Sequence, residues 1–125
     1  MSYRILVVDD IRDNADSLVR LLIAMGYEAK AAYSGEEAIE QAGAFLPDMA
    51  FIDIGMPGLD GYETVRRMRQ QRESIHLILV ALTGWTNPED KRQAYAAGFD
   101  LHVGKPMTGE KLSEVLRLIN PDAGK

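Results

Sequence analysis

The chain has 125 residues, 46% of them hydrophobic and 26% charged, with a net charge of -5 and no cysteine. That length supports one domain with its own core. The missing cysteines exclude disulfides and zinc–thiolate centres, and the acidic balance argues against a nucleic-acid surface.

No apolar run approaches membrane-spanning length, and the N-terminus carries no signal-peptide pattern. A cytoplasmic protein with no membrane insertion is the expectation. The densest basic run, RRMRQQR from Arg66 to Arg72, reads as the solvated face of a helix.

Short apolar runs alternate with amphipathic segments. The first run, Arg4–Val8, is nearly all apolar and ends in the pair Asp9-Asp10. Ala15, Leu18, Val19, Leu22 and Met25 then form one helical stripe, stopped by Gly26. Glu28–Tyr33 is a more polar strand, suited to a sheet edge. Ser34 and Glu37 have capping-box spacing ahead of Ala38, Ile39 and Ala42.

The third strand, Met49–Ile52, runs into Asp53. Asp60 and Glu63 open a third helix bearing Tyr62, Val65 and Met68. The fourth strand, Leu77–Leu82, runs into Thr83-Gly84. Asn87-Pro88 has the form of an N-cap with proline at the first helical position, and Gly98 ends that helix. The fifth strand, Leu101–Val103, leads to Lys105-Pro106. Thr108 caps a last helix whose Leu112, Val115, Leu116 and Ile119 share one face. Residues 1–120 form one domain by this reading, and 121–125 a short flexible tail.

Strict alternation of strand and helix, five times over, predicts an α/β fold with a parallel sheet covered on both faces. The expected arrangement is a flavodoxin-like (βα)5 doubly wound sheet with strand order 2-1-3-4-5. Ligands in such folds bind at the carboxyl ends of the strands where the order reverses.

Four strands deliver polar groups to that end: Asp9-Asp10, Asp53, Thr83 and Lys105. Each alone has an ordinary explanation, such as a helix cap, a β-branched strand end or a surface lysine. Together they describe a site. Two carboxylates about 4 Å apart repel by roughly 4 kcal/mol at an effective dielectric near 20. Three must raise a pKa or recruit a cation. An all-oxygen set selects a hard ion, Mg²⁺ with Mn²⁺ as a substitute. Lys105 and the Thr83 hydroxyl suit phosphoryl oxygens, and a central carboxylate can be a nucleophile that forms an acyl phosphate.

From about Tyr3 to Ile119 the chain resembles the receiver domain of two-component response regulators. The likeness rests on five elements in order: Asp9-Asp10, Asp53, Met56-Pro57 with Asp60-Gly61, Thr83-Gly84 and Lys105-Pro106. It implies that Asp53 is the phosphoacceptor and that Asp10, Asp53 and the Gly55 carbonyl ligate Mg²⁺, with Asp9 acting through water. Thr83 would bond the phosphoryl oxygen and Lys105 would pair with it. The backbone N–H groups of Gly84 and Ile54 would face it.

The phrase GFDLHVGKP (Gly98 to Pro106) is similar to receivers of hybrid sensor kinases. His102 stands where the family usually has Tyr or Phe, so Thr83 and His102 are the expected switch pair. The implied partners are a histidine kinase or histidine phosphotransfer domain, meeting Ile11, Asn14, Pro106 and Met107, and a downstream partner the sequence does not name. Ile11 and Met107 are expected as exposed apolar anchors.

A dehalogenase-type phosphatase would need an acid where Gly55 stands. A flavodoxin-like FMN binder would need a Ser/Thr/Gly-rich loop where the sequence has acids. A non-phosphorylated pseudo-receiver, acting as an interaction module, would be expected to lack one of the site residues, and none is missing.

Overall fold

Apolar side chains on both faces of a strand demand cover on both sides, and the sheet obtains it. A computed structural model describes residues 3–55, 61–71, 76–84, 88–105 and 107–123. Met56, Pro57, Asp60, Trp85, Asn87 and Pro106 lie outside the described residues.

The elements run β1 (Arg4–Val8), α1 (Arg12–Ala24), β2 (Glu28–Ala32), α2 (Gly35–Phe45), β3 (Met49–Asp53), α3 (Gly61–Gln70), β4 (Ile78–Thr83), α4 (Pro88–Ala97), β5 (Leu101–Gly104) and α5 (Gly109–Leu116). All strands are parallel, in the order β2-β1-β3-β4-β5. This is the doubly wound fold read from the sequence.

The pleat splits the core in two. Leu6, Val8, Ala50, Ile52, Leu79 and Ala81 pack with Ala38, Val65, Met68 and Ala94 from α2, α3 and α4. Ile5, Val7, Met49, Phe51, Val80 and Leu82 pack with Ala15, Leu22, Leu112 and Leu116 from α1 and α5.

Local signals match these boundaries. The Ser34 Oγ accepts from the Glu37 N–H at 3.1 Å, and the Thr108 Oγ1 from the Lys111 N–H at 3.2 Å. Glu37 reaches back to the Tyr33 N–H at 3.3 Å, one residue before the cap. Gly26 at φ 99° and Gly98 at φ 121° close α1 and α4 in the left-handed conformation that glycine tolerates. Both use the paired 6→1 and 5→2 backbone bonds of a Schellman motif.

Two features go beyond these local signals. The described residues past Asn120 make contacts of their own. Ala123 is buried, and its carbonyl accepts from the Arg117 Nε at 3.0 Å. The basic run is not simply solvated. Arg66 and Arg67 pair with Glu63 on the surface. Arg69 turns inward, donating to the carbonyls of Leu77 (2.7 Å) and Gly98 (3.0 Å) and to Asp100 Oδ2 (2.6 Å). Asp100 Oδ2 also accepts from the Leu79 N–H at 2.8 Å. One arginine thus ties α3 to the start of β4 and to the α4–β5 turn.

Gly61 lets α3 begin directly on the end of β3. A Cβ there would lie 2.6 Å from the Ile54 Cα and 3.1 Å from the Asp53 carbonyl oxygen. Backbone cannot swing aside as a side chain does. Gly61→Ala is therefore expected to destabilise the fold by about 1–3 kcal/mol, read as a lower urea midpoint at unchanged slope.

Candidate functional site

The order reverses between β1 and β3, and their carboxyl ends form the site. Asp9 follows β1, Asp53 closes β3, Thr83 closes β4 and Lys105 follows β5. Asp9, Asp53 and Thr83 are buried, whereas Asp10 is exposed. One carboxylate oxygen from each of Asp9, Asp10 and Asp53 lies within 4.8 Å of the others.

Lys105 braces this charge. Its Nζ is 3.2 Å from Asp53 Oδ2 and 3.9 Å from Asp9 Oδ2. The other oxygen of each acid is held by backbone. Asp53 Oδ1 accepts from the Gly55 N–H and Asp9 Oδ1 from the Ile11 N–H, both at 3.0 Å. Ile11 is the N-cap of α1 but supplies no side-chain cap, so Asp9 organises the helix start as well as the site. The Lys105 N–H donates to the Thr83 carbonyl at 2.7 Å, which fixes the lysine beside the end of β4.

Burial pushes the Asp9 carboxyl above its ordinary value. The Ile11 N–H opposes this, the Asp53 charge adds to it, Lys105 opposes it and Asp10 adds again. One ammonium against three carboxylates leaves the pocket short of positive charge. The donor set is all oxygen, with no nitrogen or sulfur ligand among the described residues, and it fits a hard divalent cation held by Asp9, Asp10 and Asp53.

The structure revises three placements. The Ile54 N–H donates to the Leu82 carbonyl at 3.2 Å, because the β3–β4 ladder continues one residue beyond the strand. It is not directed at the Asp53 carboxylate; the Gly55 N–H is. A period-two reading of the chain leaving β3 carries that signal, since Gly55 shares the face of Asp53.

Met107 is half-buried and packs against the α1–α5 half-core, so it is less free than expected. Ile11 is 53% exposed, as expected of an anchor, and Asn14 is exposed. A cavity of about 340 Å³ opens beside Asn14, walled by Leu18, Leu21, Leu82 and Met107, with Asp9 and Lys105 also in its lining.

His102 is the third. Its ring is already buried, and neither ring nitrogen has a hydrogen-bond partner among the described residues. Gly84 is exposed, and among the described residues a Cβ there would meet nothing within 4 Å.

Sequence reasoning missed the brace on the flank of α1. Tyr33 Oη donates to Asp16 Oδ1 at 2.6 Å, and the Arg12 guanidinium lies 4.1 Å from the Tyr33 ring centroid. Nothing in the local pattern marks this long-range pair.

Fold and site together define a doubly wound α/β domain with an acidic, lysine-braced pocket at its switch point. Residues 5–117 match the family model of the response regulator receiver domain, and the chain belongs to this family of two-component signalling domains.

The chain is 36% identical over 107 residues to the response regulator PleD of Caulobacter vibrioides, covering 86% of this chain and 24% of that protein. It is 35% identical over 119 residues to the response regulator MprA of Mycobacterium ulcerans, covering 95% and 50%. It thus spans about a quarter to a half of the length of these curated relatives. The Vibrio cholerae chemotaxis protein CheY4 superposes with a TM-score of 0.90 at 29% identity, over 95% of this chain and 99% of that one. A match to a yeast co-crystal structure, of the histidine phosphotransfer protein Ypd1 with the receiver domain of Ssk1, has a TM-score of 0.84 at 26% identity, covering 99% and 97%. Among the described residues, no helix is long and apolar enough to cross a membrane.

The raised Asp9 value has a sign. A carboxyl whose folded value lies above its unfolded one stabilises the fold below the unfolded value, and that contribution is lost as pH rises through the folded value. At neutral pH its charge is therefore a cost. Asp9→Asn keeps an acceptor for the Ile11 N–H. It is expected to raise Tm by a few degrees at pH 7 in chelator, with a smaller gain at pH 4. A divalent ion should stabilise the wild type more than the variant.

Proposed function

We propose that this receiver accepts a phosphoryl group from a phosphohistidine onto Asp53, and that the acyl phosphate changes its conformation to signal to a partner. One observation carries the reading. Asp53 ends the central strand, buried, with Oδ2 3.2 Å from the Lys105 Nζ and two further carboxylates within 4.8 Å.

In the transfer, an Asp53 carboxylate oxygen attacks phosphorus. The new P–O bond forms as the P–N bond breaks, and the electron pair leaves on the imidazole nitrogen of the donor. Lys105 pairs with the phosphoryl oxygens as charge spreads over them. The backbone N–H groups of Gly55 and Gly84 and the Thr83 hydroxyl complete the cradle.

Asp10, Asp53 and the Gly55 carbonyl would hold Mg²⁺, with Asp9 acting through water. When bound, the ion neutralises charge on the phosphoryl oxygens. The chain catalyses only its own phosphorylation and dephosphorylation. We assign it to the cytoplasm, where histidine kinases present their phosphohistidine.

A histidine kinase or histidine phosphotransfer domain fits as donor. The pairing of Ypd1 with a similarly folded receiver supports this, as do the exposed Ile11 and the cavity that Asn14 and Met107 line. Thr83 and His102 form the switch toward the downstream partner.

Incubation with Mg²⁺ and acetyl phosphate should give a single phosphoryl adduct by intact mass, and Asp53→Asn should lose it while keeping its far-UV spectrum. Full labelling of Asp53→Asn would overturn the assignment, and no adduct on the wild type would favour a pseudo-receiver. Ile11→Lys should slow phosphorylation by a cognate kinase or phosphotransfer protein at least tenfold, a cost of about 1.4 kcal/mol at the docked complex. The rate with acetyl phosphate should stay unchanged. Equal slowing with both donors would place Ile11 in the site's support, not in the interface.

A further inference from the structure

Among the described residues, the buried imidazole of His102 takes no part in the phosphoryl transfer itself. His102 is 8% exposed, and its Nδ1 and Nε2 both lack a hydrogen-bond partner among the described residues. Leu101 and Val103 on either side pack with the α1–α5 half-core. Strand alternation therefore sends the His102 ring to the opposite face, the one α4 covers. Its register neighbour on β4 is Ala81, which brings no charge.

Of the charged groups around it, Lys91 on α4 opposes protonation and Asp90 favours it. Glu89 and Arg92 of α4 pair with each other at 2.8 Å. On α5, Lys111 and Glu114 line a groove of about 460 Å³ along β5, whose lining also includes His102. Lys111 Nζ donates to the Gly104 carbonyl at 3.3 Å at one end of that groove. Among the described residues, no carboxylate hydrogen-bonds either ring nitrogen to hold a second proton.

We propose that His102 makes the α4–β5–α5 face of this receiver pH-sensitive: the ring occupies its place under α4 only as neutral imidazole, and protonation drives it out toward the open edge of β5. An imidazolium with two unpartnered N–H groups cannot stay in an apolar slot. β5 is the last strand of the sheet, so its free edge offers the exit. Burial, the largest cause, together with Lys91 holds the ring's pKa below the ordinary imidazole value.

The sign follows. A histidine buried neutral contributes stability that is complete above about 6.5 and is lost as pH falls through the lower folded value. Proton and phosphoryl group then act in opposition, since closing α4 over the ring requires the neutral form. This last step rests on the phosphoacceptor reading above.

The test is an NMR titration of the whole chain between pH 5 and 8. The protein has two histidines, so His76→Asn assigns the ring signals. The ring of His102 should titrate below the ordinary value of about 6.5. Amides of α4 and β5 should move with the same midpoint, and their movement should vanish in His102→Phe and in the smaller His102→Asn, which guards against overpacking. Mg²⁺ with beryllofluoride should lower the midpoint further. A ring that titrates at the ordinary value, or α4 and β5 amides that ignore its titration, overturns the pH switch. An unchanged midpoint with fluoride signals showing bound beryllofluoride overturns the opposition between proton and phosphoryl group. Failure of beryllofluoride to bind would sink the phosphoacceptor reading, and the titration without it would still judge His102.

Discussion

The Lys105 ammonium, set against Asp53 at 3.2 Å and Asp9 at 3.9 Å, is the interaction on which the site depends. Without it, buried carboxylates from adjacent strands would face each other uncompensated. The lysine cannot neutralise three acids. That deficit is the functional content of the arrangement, because it leaves a standing preference for added positive charge beside Asp53. A stable protein with no task here would replace these groups by apolar ones.

Much of the scaffold exists to bring four strand ends to one place. Asp9 and Asp53 each commit one oxygen to a backbone N–H and turn the other toward Lys105. Asp9 thereby starts α1, and Asp53 shapes the turn after β3. Gly61 allows α3 to sit on that turn without a side chain between them. On the far side of the sheet, Arg69 ties α3, β4 and the α4–β5 turn through backbone carbonyls and Asp100. The carboxyl end of α4 is therefore anchored. Its amino end begins just beyond Thr83 and Gly84, where a phosphoryl group would act. Motion of α4 about its anchored end would pass over the His102 ring.

The division of labour between the two half-cores has a consequence for signalling. α1 and α5 share one side of the sheet, with the cavity beside Asp9 and Lys105, while α4 covers His102 on the other. A donor approaching at α1 and a listener at α4 could therefore use different sides of the same strand ends. The sheet between them is packed and does not deform continuously.

The amino-acid sequence by itself determined the element order, the sheet topology and the identity of the clustered acids, threonine and lysine. These follow from short-range rules: the period of apolar residues, capping residues, glycine at left-handed positions, and the βα alternation that permits few topologies. Ser34, Thr108, Gly26 and Gly98 act as their local patterns say. Only the tertiary structure decided which backbone N–H faces Asp53, because the extra ladder bond from Ile54 to Leu82 depends on a neighbouring strand. It also decided that Arg69 points inward, that Ala123 is buried, and that His102 lies buried with no hydrogen-bond partner on its ring among the described residues. A side chain's partners, unlike its helical or strand period, are set by residues distant in the chain, and no local pattern encodes them.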